Sequence, residues 1–424
     1  MSRATAGSRS STVGGWRARA MALAGLEVCI IWGGGAALAG SVGSESSVGL
    51  AAEYSSNPQM LSSGARAAES AAVLMNLPAT YNSDTQTLDL IPRVRFAQTH
   101  GDFSLLSNYQ YLDADWRLAS QNNIYTAAGS WHHDSTLYNV FENAALSGIE
   151  LHRQEETGNL GWQRQVSERD DFQFTGSWDH LAYGANSAGV LDNFNYGQAS
   201  VAYDHTFTER WHASIAVGYG HYELLNHTYR NDDRFAQLSV DRSLSDRWSL
   251  DLQANYSYLR SRIEVGELYC PEQTILVCEI IPSLYEIITV PEHSAGGSGN
   301  GAIKLEYLYQ RGTLDFSVSR AIQPSGFGAL LTQDDASVKG SYDWTERWKL
   351  GATLHASRLS DPLHQINLGT FHYYDLDLSA QWLWTEHWTL GMLVSTNAQE
   401  VGGPHALGAT VSLTLFRQFG RIRL

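Results

Sequence analysis

The chain is poor in several things, and each shortage excludes a class. Three cysteines in 424 residues exclude a disulfide scaffold and a zinc ribbon. Basic residues are scarce, 28 Lys and Arg against 44 Asp and Glu, so the net charge is −16 and there is no basic surplus to meet nucleic-acid phosphates. Beyond the N-terminal region no apolar run reaches 18 residues, which excludes an ordinary transmembrane helix there. Aromatic residues are abundant instead, with 13 Trp and 21 Tyr. Such richness without a helix-length apolar run asks how the apolar residues are spaced.

The first residues carry Arg3, Arg9, Arg17 and Arg19, then an apolar stretch from Met21 to Trp32, then Ala37-Leu38-Ala39. A basic start, a short apolar core and an A-x-A site are the parts of a secretory signal peptide, expected over residues 1–39. The alternative, a membrane anchor, is disfavoured by the short core and by Gly33–Gly35, which interrupt it. Cleavage would remove four Arg and one Glu, taking the net charge from −16 to −19.

From about Val48 onward the period is two. In Trp248-Ser249-Leu250-Asp251-Leu252-Gln253-Ala254-Asn255-Tyr256, apolar and polar residues alternate strictly, the mark of a strand with one greasy and one wet face. Similar alternation runs through 172–178, 211–219, 348–354, 374–384 and 407–415. These stretches approach the roughly 9 to 11 residues that a tilted strand needs to cross a bilayer.

Between them a short motif recurs: Thr208-Glu209-Arg210-Trp211, Ser245-Asp246-Arg247-Trp248, Thr345-Glu346-Arg347-Trp348 and Thr385-Glu386-His387-Trp388. Each is a polar turn followed at once by Trp, which places Trp211, Trp248, Trp348 and Trp388 in an interfacial aromatic girdle. A β-propeller also repeats near this period, but its blades hold four short strands and each period here holds two long ones. Eight short turns are expected, near 99–102, 133–136, Glu168, Glu209, Asp246, 311–313, Glu346 and Glu386. The fold class is therefore all-β, a transmembrane antiparallel β-barrel of about 18 strands over residues 40–424, with 16 as the alternative.

The stretch Trp131-His132-His133-Asp134-Ser135-Thr136-Leu137, with Gly161-Trp162, Ser167-Glu168-Arg169, Thr208-Glu209-Arg210-Trp211 and the early Glu53-Tyr54-Ser55-Ser56-Asn57-Pro58, resembles the β-barrel porin-2 family of bacterial outer-membrane proteins. That resemblance covers most of the chain beyond residue 39 and rests on strand and turn patterns. It implies a Gram-negative outer-membrane location and hints at a part in exopolysaccharide export.

Two long external loops are expected, near 56–86 and 261–299. The first holds an Ala-rich segment, residues 62–75, which reads as a short helix, either solvated or plugging the lumen. The second holds Cys270 and Cys278, expected to form a loop disulfide, and an apolar run that would fold over or into the lumen. The polar faces of the strands assign Asp89, Arg93, Arg95, Asp171, Asp179, Asp251, Glu306, Asp315, Lys339, Asp343, Lys349, Asp375 and Asp377 to the pore lining. Acids predominate, which favours cations and neutral sugars over anions.

No nucleophile elbow and no H-E-x-x-H or H-x-x-E-H spacing is present, so no catalytic residue, metal or cofactor is expected and the protein reads as a non-enzyme. The expected partners are outer-membrane lipids, the barrel-assembly machinery, and small solutes or a polysaccharide, with no nucleic acid. The reading is a porin-like channel; the alternative is a structural or adhesion barrel with a plugged lumen.

Overall fold

The computed structural model describes residues 40–101, 108–138, 150–184, 191–269, 286–363, 370–401, 404–419 and 422–423. The expected signal peptide (1–39) and the expected disulfide between Cys270 and Cys278 lie outside them.

Eighteen strands close into one antiparallel barrel. They are β1 (Ser47–Ser55), β2 (Ala68–Asn76), β3 (Gln86–Gly101), β4 (Tyr109–Ser120), β5 (Asn123–Ser135), β6 (His152–Gln165), β7 (Asp170–Tyr183), β8 (Phe194–Thr208) and β9 (Trp211–Leu224). The second half continues with β10 (Tyr229–Ser243), β11 (Trp248–Tyr269), β12 (Glu286–Tyr309), β13 (Gly312–Pro324), β14 (Leu330–Asp343), β15 (Trp348–Ser360), β16 (Phe371–Thr385), β17 (Trp388–Val401) and β18 (His405–Gln418). Each strand pairs with the next, and β1 closes on β18 from Ser47↔Gln418 to Ser55↔Thr410. Closure leaves no edge, as a sheet in hydrocarbon requires, because lipid offers no partner to an unpaired N–H or C=O.

Register puts the apolar residues on one side. Ile215 faces Leu238 across the ladder, Leu252 faces Ile303, and Leu354 faces Leu376; all six are exposed in the protein alone. Such a band is stable only against lipid, where burying each large aliphatic side chain contributes about 1.5–3 kcal/mol. The polar residues between them point into the lumen.

The recurring turn motif has a local cause. In the turn after β14, Thr345 Oγ1 accepts from the N–H of Arg347 (3.2 Å) and of Trp348 (3.0 Å). Ser245 does the same for Arg247 and Trp248, both at 3.2 Å, and Thr385 for His387 (3.3 Å) and Trp388 (3.2 Å). The hydroxyl satisfies donors that the ladder cannot reach, and the next residue begins a strand. Trp211, Trp248, Trp348 and Trp388 are accordingly the first residues of β9, β11, β15 and β17.

Several expectations need correction. Among the described residues there are eight short connections, but those expected at 99–102 and 133–136 lie at the opposite, long-loop end; in their place stand 77–85, which carries a short strand, Ala79–Ser83, folded back on β3, and 121–122. The His-His-Asp-Ser-Thr cluster reads as a turn because it is polar, yet Asp134 stays in β5 and is buried against Arg153. The Ala-rich segment is no helix. Its residues 68–76 form β2, paired with β1 and β3, because closing the ladder outweighs the intrinsic helix preference of alanine. The expected loop at 56–86 is therefore a loop, a membrane strand and a turn. Much of 261–299 is also strand: β11 and β12 stay in register up to Tyr269↔Glu286 and rise as a two-stranded ribbon past the point where β13 begins to pair.

Candidate functional site

The lumen has two unlike walls. On β1 to β6 most of the charges are paired, although Asp89 lies directly opposite Asp115. Arg93 donates to Asp113 at 2.5 Å, and His132 Nε2 lies 2.9 Å from the other oxygen of the same carboxylate. Arg153 grips the buried Asp134 through Nε and Nη2 at 2.9 and 3.0 Å, while Tyr111 donates to it at 2.7 Å. Arg95 donates to Glu53 (3.2 Å) and Ser70 (3.3 Å). Guanidinium and carboxylate match in geometry, so these pairs neutralise and stiffen most of this wall.

On β7 to β16 the acids outnumber the bases. Asp171 lies directly opposite Asp204, and Asp241 opposite Asp251. Asp233 accepts from Ser257 (3.3 Å) and Asp375 from Ser395 (3.2 Å), hydroxyls in place of cations. Asp335 meets His355 Nε2 at 3.2 Å. Three lysines interrupt the acids: Lys304 opposite Asp251, Lys339 opposite Asp315, and Lys349 opposite Asp343. Like charges directly opposite on a sheet are destabilising, so this arrangement is not one that folding alone would favour.

All the residues assigned to the lining from sequence fall on the polar face of their strands. The structure brings Glu306, Asp315 and Lys339 into one cross-strand row, and Asp377 into register with Thr353 and Ser395. Asp89 faces Asp115, and Asp179 faces Tyr196. Asp113, Asp134, Arg153 and Asp233 are not among the residues assigned from sequence, yet they belong to the same interior. Asp113 shares the parity of Asp115 and was within reach of the same alternation argument; the Asp134–Arg153 pair joins two strands and had no local signal.

The way in which the long-loop mouth is narrowed has no counterpart among the expectations from sequence. The narrowing comes from short loops folded inward onto apolar side chains at strand ends. Tyr222, Leu259, Leu331 and Leu359 occupy lumen-side positions of β9, β11, β14 and β15, and all are buried. Residues 325–329, between β13 and β14, reach across to β7 and β9: Tyr222 Oη donates to the carbonyl of Ser325 (2.8 Å), and the N–H of Asp192 to that of Gly326 (2.7 Å). A Cβ at Gly326 would strike Tyr183, and Gly328 takes φ +88°, so glycine is required twice in this loop. Phe327 stacks on Phe371 with centroids 5.8 Å apart. Burial raises the Asp192 carboxyl above its ordinary range. On the other side, residues 57–60 fold onto β17 and β18, with Gln399 donating to the carbonyl of Met60 (2.9 Å). The sequence signal was available: apolar residues at polar-face positions near the strand ends break the alternation.

Among the described residues no group of His, Cys, Asp or Glu is arranged to hold a metal ion. A closed barrel of even strand number, with an apolar outer band, a turn-side tryptophan girdle and a polar interior, is an outer-membrane barrel.

No family model and no curated protein matches the chain, so the porin-2 resemblance has no support from that side. Solved structures match in architecture. The ferric-catecholate import receptor Fiu from E. coli K12 is 9% identical with a TM-score of 0.44, covering 88% of this chain and 81% of that one. OpdL from Pseudomonas aeruginosa is 11% identical with a TM-score of 0.41, covering 91% and 99%. The copper transporter OprC is 10% identical with a TM-score of 0.46, covering 85% and 62%. Likeness at this level speaks of neither substrate nor family.

Proposed function

We propose that the protein is a porin-like channel of the Gram-negative outer membrane, whose acid-rich lumen passes small hydrophilic solutes, cations and neutral sugars ahead of anions. The observation that carries this is the β7 to β16 wall, where acids face each other in register at Asp171–Asp204 and Asp241–Asp251. Charges so placed lower stability and supply a field along a water-filled path. The resemblance to the porin-2 family extends the reading to assistance in exopolysaccharide export through the same lumen. The barrel acts without cofactor or catalytic residue.

A second reading, a structural or adhesion barrel with a plugged lumen, is favoured by the apolar cluster around Tyr222, Leu259 and Leu331. Planar-bilayer recordings separate the two. A channel gives small conductance steps in the wild type and larger ones in a Tyr222→Ala/Phe327→Ala variant. Silence in both proteins, each showing heat-modifiable migration on a gel, would overturn conduction in favour of the plugged barrel.

A further inference from the structure

The outward face carries a feature that neither conduction nor folding uses. Near the long-loop end of β10, β11, β13 and β15, the lipid-side series changes from aliphatic and aromatic residues to arginine. On β11 it runs Leu250, Leu252, Ala254, Tyr256 and Tyr258, then Arg260 and Arg262; on β15 it runs Leu350, Ala352, Leu354 and Ala356, then Arg358. Arg230 and Arg234 continue the patch on β10, and Arg320 on β13. Register confirms the shared face, with Arg230 opposite Arg262, Tyr219 opposite Arg234, and Arg358 opposite Asp334, which in turn lies opposite Arg320.

Height follows from geometry. Ten residues separate the girdle residue Trp348 from Arg358. At about 3.3 Å per residue and a tilt near 40°, that is roughly 25 Å, the height of the apolar band. The arginines therefore lie at the far interface, at headgroup level, where a lipid-side charge costs little and can be met by an anion.

The guanidinium groups are largely unclaimed by the protein. Among the described residues, Arg230, Arg234, Arg260 and Arg358 form no ion pair within 4 Å, although Glu223 lies opposite Arg230 and Asp334, already held by Arg320, opposite Arg358. The carboxylate nearest in register to Arg260, that of Asp232, is occupied by Tyr219 (2.5 Å) and His221 (2.8 Å). Arg262 has only Glu264 at 3.6 Å, and Arg320 is held by Asp334 at 2.5 and 2.9 Å. Below Arg320 and Arg358 the outer wall forms a groove of about 590 Å³, whose apolar lining includes Ile303, Val318, Ala356 and Tyr374. Charge above an apolar groove is complementary to an amphiphile, and arginine's planar fork matches phosphate oxygens.

We propose that this face binds a phosphorylated lipid of the external leaflet, its phosphates on Arg230, Arg234, Arg260, Arg262 and Arg358 and an acyl chain in the groove. The inference rests on the membrane placement of the barrel and not on conduction. The test incubates the purified full-length barrel in detergent with bisphosphorylated lipid A, or with the same lipid stripped of its phosphates, and counts bound lipid by native mass spectrometry. The phosphorylated lipid is expected to bind at least tenfold better, and a quadruple variant, Arg230→Gln with Arg260→Gln, Arg262→Gln and Arg358→Gln, is expected to lose that tenfold. Heat-modifiable migration in the membrane fraction reports folding and placement separately. Should the quadruple variant not fold, Arg260→Gln and Arg358→Gln alone are each expected to lower binding two- to fivefold, with Arg358→Lys intermediate. Equal binding of both lipids, undiminished binding by folded variants, or complete displacement by equimolar inorganic phosphate would each overturn the proposal.

Discussion

At the scale of single residues, Asp192 connects the closed mouth to pH. Its N–H donates to the carbonyl of Gly326 at 2.7 Å and its Oδ1 accepts from Asn226 at 3.2 Å, so it holds the inward loop to the β8 side of the lumen. Burial raises its pKa, which means that the closed arrangement prefers the protonated acid. The sign follows from linkage. The contribution to closure is complete below the ordinary aspartate value of about 3.9 and is lost as pH rises through the raised value. Conductance per barrel is therefore expected to increase as pH rises above the ordinary aspartate value of about 3.9. Asp192→Asn, which keeps a neutral side chain there throughout, should flatten that part of the profile in planar bilayers. An unchanged slope would assign the pH response to the lumen acids.

At the scale of elements, the turns explain why the strands were legible. A hydroxyl, two charged or polar residues and a Trp make a self-contained unit whose hydrogen bonds lie within four residues, so local sequence carries it completely. Replacing Thr345 with Val removes both bonds while keeping the shape. It should destabilise the barrel by about 1 kcal/mol, read as an earlier loss of the compact band on heating. Strand β2 shows the opposite case. Residues 68–76 read as helix by composition, and only the ladders to β1 and β3, set by distant parts of the chain, make them a strand. The inward loop at 325–329 was hidden for the same reason: its partners Tyr183, Asp192 and Tyr222 are more than a hundred residues away in sequence. Alternation and turn chemistry are local and could be read. Closure, cross-lumen contacts and the sharing of carboxylates among strands are not local.

At the scale of the whole molecule, the net charge of −16 is not spread evenly. Mostly paired charges line β1 to β6, surplus acids line β7 to β16, and a surplus of arginines faces outward on β10 to β15, so the inner and outer surfaces of the same arc have opposite sign. The inner half of this pattern makes a linked prediction about stability and transport. Asp171 opposite Asp204 and Asp241 opposite Asp251 repel across single ladder steps, and each such pair lowers stability by about 0.2–1 kcal/mol. If the acids serve only as wetting for the lumen, Asp204→Asn and Asp241→Asn should leave ion preference untouched. If they set the field of the pore, the double variant should unfold at a higher temperature and at the same time lose several-fold in its cation-to-anion permeability ratio, measured as the reversal potential across a KCl gradient. We expect the second result, because residues that destabilise a fold and are nonetheless placed in register at two separate ladder steps, β7–β8 and β10–β11, are better explained by what passes them than by what they hold. A stabilised variant with an unshifted reversal potential would show that selectivity resides elsewhere in the lumen.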